Sequence, residues 1–422
     1  ESLTSAASIL NGYARDTLSD KVILETPDLE TEVALSDIGG CFAVAEAAQD
    51  AYSITRTGGF FSKTAAKLQA LFGRKEALSI GVALNHTKAS EYLARLDKGV
   101  RVEPVSASIT LQDSQIARNP DRPGRRIEAQ AALRRLGAVV PNSEPARVAI
   151  PLEQVGASVT AEDLAHVDTL LASYSTSLGS SSRNRVRNLE LACKMINGTL
   201  LRPGDVFSYN KVVGPRLQSL GFREAPIYRN GEVVPGTGGG VCQVSTTIYN
   251  IALLTDSEIL QRSHHSMPVH YVPLGRDATV AYPGIDLRFR NTGSHPMYLE
   301  AKVEGWRIKM RAFGASGDKK DVKIRSAVLG SYPAKVYRKD DPNLAVGETK
   351  SIKKAVTGYK VAVTREVGSA SGDRRSERVS LDFYRPVAGI EAVGTKSIEA
   401  PSTSAPTESA DESEPDDPDQ AR

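Results

Sequence analysis

The residues with the most chemical promise lie in GTGGGVCQVSTTIYNIALL, residues 236–254. Four glycines within five residues bury no side chain and cost backbone entropy, so they suit a tight turn or a close approach to the chain. The residues after them read as a helix with Val244, Ile248 and Ile251 on one face. Cys242 therefore falls where a glycine loop meets a helix N-terminus, and there unpaired N–H groups and the dipole favour a thiolate over a thiol. The same N–H groups suit the oxyanion of a tetrahedral intermediate. These are the two needs of an acyl-transfer cysteine. Two plainer readings stand beside it: a buried inert cysteine, or a loop that only binds an anion. A nucleotide P-loop is disfavoured, because no Lys-Ser/Thr pair follows the glycines.

A thiol nucleophile works best with a base. Four of the six histidines, His264, His265, His270 and His295, lie within residues 264–295. His264 and His265 are adjacent, so in an extended segment they face opposite ways and only one should reach the site. His270 sits in a strand-like VHYV segment and is as suited to the surface as to catalysis. His295, before a proline, reads as an exposed loop residue. Asp277 in GRDATV is placed to orient a histidine or bind a cationic group; the plainer reading of Arg276-Asp277 is a turn with a local salt link. A metal site is disfavoured, because the histidines lack a helical i,i+4 pair and the nearest carboxylate lies well beyond His270. No metal or organic cofactor is expected.

The elements that would hold these residues are mixed. FSKTAAKLQALFG reads as a helix, with Ala65, Leu68 and Leu71 on one side. Residues 102–112 alternate Val105, Ala107, Ile109 and Leu111, as a half-buried strand would. IEAQAALRRL reads as a short helix and ARVAIPL as a strand. SVTAEDLAH has Thr160 placed to cap a helix with Asp163 at its third position. Residues 184–197 form an amphipathic helix whose apolar stripe contains Leu189, Ala192, Cys193 and Ile196, so Cys193 reads as a small buried hydrophobe. Beyond the cysteine region, Leu287 and Phe289, then Met297 to Val303, then Ile308 and Met310 suggest antiparallel strands. Tyr359, Val361 and Val363 alternate likewise, as do Val379, Leu381 and Phe383, with GSASGDRRSE as a hairpin tip between them. This last module reads as an all-β appendage without chemistry of its own.

The fold class expected is α+β and multidomain: an N-terminal α+β region (1–165), a central mixed α/β domain (166–317), a small β module (318–396) and an acidic tail (397–422) that buries too little to order itself. The chain has 422 residues and a formal net charge of +3, too small to argue for nucleic acid. No apolar run is long enough to span a bilayer. The chain begins ESLTSAAS without methionine, which predicts a form from which an N-terminal signal or membrane anchor has been removed. Three cysteines, Cys41, Cys193 and Cys242, are too few and too scattered for a disulfide framework or a cysteine zinc site. A Cys41–Cys193 bridge would leave Cys242 free, but spacing does not decide it.

NRVRNLELACKMINGTLLRPGDVFSYNKVVGPR, then PGTGGGVCQVSTTIYN, then RSHHSMPVHYVPLGRDATV resemble the VanW family in order, over about residues 170–295. Upstream, VSASITLQDSQIARNPDRPGRRIEAQAAL through VTAEDL resembles, more loosely, the peptidoglycan-binding-type domain that often precedes it. DFYRPVAGIEAVGT resembles small β accessory domains of wall proteins. The resemblance implies an extracellular L,D-transpeptidase at the cell wall or the outer face of the cytoplasmic membrane of a Gram-positive cell, with peptidoglycan stem peptides as partners. It makes Cys242 the nucleophile, His265 the base candidate ahead of His264, and Asp277 a third catalytic residue. Gly239, Gly240, Gln243, Ser245, Thr246, Arg262, Ser266 and Arg276 fall on motif positions and are expected at the substrate; Arg183, Arg185 and Arg202 are further candidates for stem carboxylates. The competing classes are a non-catalytic stem-peptide binding module and a cysteine carboxypeptidase or amidase.

Overall fold

A computed structural model of the chain describes residues 16–42, 82–112, 115–139, 145–229, 232–368 and 372–396, with residues 8, 11 and 12. The helix expected around residue 65 and the acidic tail lie outside these residues. Three parts follow one another: α+β, mixed α/β and all-β.

In the N-terminal part, β1 (Lys21–Thr26) pairs antiparallel with β2 (Leu29–Ala34) and parallel with β3 (Ala146–Ala149). Helices α1 (His86–Val100) and α2 (Ala129–Gly137) cover them. Ala89, Leu93, Ala132, Leu133 and Leu136 close a core with Val22, Leu24 and Val148. Asn85 caps α1 by accepting the Lys88 N–H at 3.1 Å. Two expectations change here. The strand begins only at Ser108 and Val105 is 56% exposed, because Gly124 presses against the 102–104 backbone and leaves room for isolated bridges only. Thr160 and Asp163 do exchange capping bonds of 3.0–3.2 Å, but they close a turn and no helix follows. Asp163 is also drawn to Arg202 at 2.7 Å, and the chain enters a strand at Thr169.

The central sheet has the order β4 (Thr169–Ser177), β7 (Arg307–Gly314), β6 (Met297–Glu304), β5 (Thr199–Leu201), all antiparallel. Helices α3 (Arg183–Ile196) and α4 (Val241–Leu254) pack on it. Leu189, Ala192, Cys193 and Ile196 are all buried, as the stripe predicts. Helix α4 goes further than its one-faced pattern suggests and is buried almost all round, Gln243 to Leu253 included. Ala107, Ile109, Val159, Leu164 and Val167 pack against Tyr298 and Phe313 of the central sheet, which joins the end of the N-terminal part to it.

The C-terminal module has two three-stranded sheets. One contains β8 (Asp321–Tyr332), β11 (Gly358–Gly368) and β12 (Arg374–Tyr384); the other contains β9 (Val336–Ala345), β10 (Thr349–Lys353) and β13 (Gly389–Lys396). β11 and β12 pair as the expected hairpin, Val361 facing Asp382 and Val363 facing Ser380. The buried face of β12 is the reverse of its apolar pattern. Leu381 and Phe383 are 47% and 43% exposed, whereas Asp382 and Tyr384 are buried. That face lies against the central domain, where polar partners await both residues.

Candidate active site

Cys242 is the second residue of α4. The loop before it has little latitude. Gly240, the N-cap, sits at φ +105°, a conformation that suits glycine. A Cβ on Gly239 would lie 2.5 Å from the Ala225 carbonyl oxygen, so only glycine fits against that strand. Asn188 of α3 pins the loop from below: its amide donates to the Arg223 and Gly239 carbonyls at 2.9 and 3.0 Å and accepts the Arg223 N–H at 2.7 Å. The Val241 and Gln243 N–H groups turn back onto Gly238 and Gly240. Among the described residues the Cys242 N–H has no acceptor, which leaves a helix N-terminal donor on the residue that carries the thiol.

The partly exposed Cys242 has its Sγ 3.5 Å from both Thr279 Oγ1 and the Val280 carbonyl oxygen, and His265 is the neighbouring group that most favours its thiolate. His265 is held by Asp277 twice: Oδ2 accepts the His265 backbone N–H and contacts Nδ1, both at 2.6 Å. With Nδ1 committed to the carboxylate, Nε2 is the nitrogen left for the thiol. The order Cys242–His265–Asp277 is the one that a nucleophile, a base and its orienter would need.

Electrostatics follow the geometry. Burial pushes the Cys242 thiol up, but the hydrogen bond and charge of His265, helped by Thr279 and the Val280 backbone, outweigh it and bring the thiol down to about 7. Burial would lower His265, yet the bonds to Asp277 and Cys242 lift it to about 9. Asp277 is pushed up by burial and held down to about 2 by His265 and Arg262. Cys193, buried beside no cation, is pushed up to about 12, as an inert core thiol should be. The two shifts run in the directions that favour a thiolate at Cys242 and an imidazolium at His265.

The other expected residues separate by position. Gln243 is buried and bonded to Thr176, Ser177 and Arg185; Ser245 donates to the Ala278 carbonyl at 2.6 Å, and Thr246 both donates to that carbonyl and accepts the Ala278 N–H. Ser245 and Thr246 tie α4 to Ala278, and Gln243 ties it to β4 and α3; all three expected substrate contacts are buried, with these hydrogen bonds made inside the protein. Arg262, with its side chain 6% exposed, is likewise turned inward, onto Asp277 and Asp382. Arg276 is half-buried, bonded to Asn250 at 2.7 Å over the Tyr174 ring. Arg202 is paired with Asp163, and Arg183 and Ser266 are exposed. His264 packs edge-on to Tyr384, with Nδ1 2.6 Å from the His265 carbonyl oxygen; His270 is exposed in a turn rather than a strand, and His295 binds Asp318 at 3.0 Å. All three cysteines are free, so the possible Cys41–Cys193 bridge is absent.

Two contributors escaped the sequence reading. Tyr384 donates to Asp277 Oδ1, and Asp382 grips Arg262 Nη1 with both oxygens at 2.7 Å. Both come from the module in which the sequence shows no chemistry, and they reach Asp277 and Arg262 of the central domain. The available signal was a strand whose polar face, Ser380, Asp382 and Tyr384, repeats as regularly as its apolar one. Two surface grooves, of about 440 and 610 Å³, lie elsewhere, one along Arg365 and Arg375 and one beside Trp306, and neither is lined by Cys242 or His265. Among the described residues no cluster of His, Cys, Asp and Glu is suited to a metal ion, and no helix is long and apolar enough to cross a membrane.

Comparison with known proteins gives three matches along the chain. Residues 184–313 match the family model described as VanW like protein, residues 31–149 match a peptidoglycan-binding-type domain and residues 325–396 match the G5 domain. YoaR of Bacillus subtilis (strain 168) is 36% identical over 223 residues, which cover 53% of this chain and 73% of YoaR. The vancomycin B-type resistance protein VanW of Enterococcus faecalis (strain ATCC 700802 / V583) is 35% identical over 113 residues, 26% of this chain and 41% of that protein. A solved G5 domain of an IgA1 protease is 23% identical, with 18% of this chain and 94% of that one covered at a TM-score of 0.14.

Proposed function

The chain belongs to the VanW-like protein family, with a peptidoglycan-binding-type domain ahead of the VanW-like one, and we propose that it is an extracellular peptidoglycan L,D-transpeptidase working through a Cys242 thioester. The observation that carries this reading is the Cys242–His265–Asp277 arrangement at the N-terminus of α4. The domain matches supply the context of the bacterial cell wall.

The reaction balances in two steps. The Cys242 thiolate attacks the carbonyl carbon of the third residue of a donor stem, and the oxyanion draws on the free Cys242 N–H. The C–N bond to the terminal D-alanine breaks, and His265 gives its proton to the departing amine. Neutral His265 then takes a proton from the side-chain amine of the third residue on a neighbouring stem. That amine attacks the thioester, the C–S bond breaks, the thiolate returns to its place beside imidazolium, and a 3→3 cross-link remains. Water in place of the amine makes the same site a carboxypeptidase. Asp277 holds the imidazole ring with Nε2 forward and balances its charge.

The test is intact-mass analysis after incubation with a disaccharide-tetrapeptide. The wild type should gain a Cys242 adduct of donor mass minus alanine and then release cross-linked product. C242A should form neither, and H265A should lose about 10²- to 10⁴-fold in rate. A folded wild type without adduct or product, across stems differing in the third residue, would point instead to a stem-peptide binding module.

A further inference from the structure

We propose that Tyr384 and Asp382 of the C-terminal module are positioning residues for the acid of the active site, so that the site is complete only with this module docked. This role presupposes that Cys242, His265 and Asp277 act as one unit, as in the reaction above.

Asp277 has two oxygens with separate duties. Oδ2 serves His265, at both its backbone N–H and Nδ1. Oδ1 is held by the Tyr384 hydroxyl and by Arg262 Nη2 at 3.3 Å. The Tyr384 oxygen accepts the Gly275 N–H at 2.9 Å, so its own proton is directed to the carboxylate. Arg262 is aimed in turn: Asp382 takes Nη1 bidentately, while the Asp277 and Gly275 carbonyls take Nε and Nη2 at 2.7 and 3.0 Å. Ser380 braces Asp382 at 3.1 Å. Every group in this chain of contacts is buried or nearly so: Asp277 is 1% exposed, Tyr384 1% and Asp382 5%. Bonds to a charged group are strongest in such surroundings.

The approach of the module is close and built in. Gly275 has φ +80°, and a Cβ there would lie 2.4 Å from Val363 Cγ2 of β11, so a glycine is required where the two parts touch. With Oδ1 fixed from the module side, the carboxylate plane cannot turn, and Oδ2 stays on His265. Without that restraint Asp277 is free to rotate and its hold on the imidazolium slackens. The thiolate at Cys242, stabilised by that imidazolium, becomes less favoured.

The experiment reads Cys242 directly. The rate of alkylation by iodoacetamide is followed against pH, with Cys242 resolved from Cys41 and Cys193 by peptide mass spectrometry. Y384F removes one hydroxyl and keeps the ring; D382N keeps the shape and removes the charge that grips Arg262. In each, the midpoint of the alkylation profile should move up by about one pH unit, which is about a tenfold loss of thiolate below the midpoint. L381A, on the exposed face of the same strand, should leave the profile in place. Variants that keep the wild-type circular dichroism and melting temperature yet show the wild-type midpoint would overturn the proposal. Alkylation needs no stem peptide, so this outcome stands apart from success or failure of the transpeptidase assay.

Discussion

At the scale of single residues the proposed reaction requires an ion pair at the site, and its pH window follows. Cys242 must be deprotonated, which happens as pH rises through about 7, and His265 must stay protonated, which fails as pH rises through about 9. The expected profile of kcat/KM is a bell between those limits, read as macroscopic values of the pair. A plateau extending well above pH 9 would rule out imidazolium as the acid. Asp277→Asn should lower the maximum by about 10²- to 10⁴-fold, since the amide cannot both orient and neutralise the ring. Cys242 and Asp277 drew attention in the sequence because a glycine run before a cysteine and an Arg-Asp turn each carry a chemical reason, whereas the choice of His265 over His264 came from the family resemblance. Gln243, Ser245 and Thr246 were expected at the substrate because a polar residue beside a candidate nucleophile looks like a ligand contact. Only the burial of α4 on all sides shows that their hydrogen bonds are spent inside the protein.

The elements that aim these residues are joined by few bonds, each with a measurable worth. Asn188 on α3 is the main tie to the glycine loop. Asn188→Ala would leave the Arg223 N–H and the Gly239 carbonyl without that partner. We expect a loss of about 2–3 kcal/mol in urea unfolding, and a fall in the rate of Cys242 alkylation at pH 7 larger than any change at Cys41. An unchanged alkylation rate would mean the loop holds its shape without α3. The helices here were readable from their 3.6-residue stripes, and the central hairpins from alternation. Strand β12 was readable as a strand, but its inward face was not, because Leu381 and Phe383 are exposed. Leu381 and Phe383 carry the pattern that normally marks a buried face, while Asp382 and Tyr384 are buried against partners far away in sequence. Pattern reading assumes that apolar means inside, and it fails where a polar interface replaces a core.

For the whole molecule, the central domain and the C-terminal module are locked at two places. One is the Asp277–Tyr384 and Arg262–Asp382 junction. The other is Arg365, buried on β11, which donates to the Ser257 carbonyl at 2.9 Å and lies 3.5 Å from Asp256. Ile324 and Val379 of the module also pack on the central core. These contacts predict that the two parts unfold in one calorimetric transition. Arg365→Ala, which strips both contacts from a buried site, should lower its midpoint by several degrees. Two resolved transitions in the wild type would show that the junction is too weak to couple them. The order of domains was legible in the sequence; their mutual dependence was not, since no local pattern reveals which faces will meet.

The junction also has a consequence in time. Asp277 and Tyr384 are 107 residues apart, so a growing chain exposes its cysteine, histidine and aspartate long before it has made the tyrosine that steadies them. On the positioning role proposed for Tyr384, Cys242 remains closer to an ordinary thiol until β12 exists and has folded onto Gly275. Reactivity is then a late property of the protein, and a chain cut short before residue 384 should carry Cys242 in its quiet form.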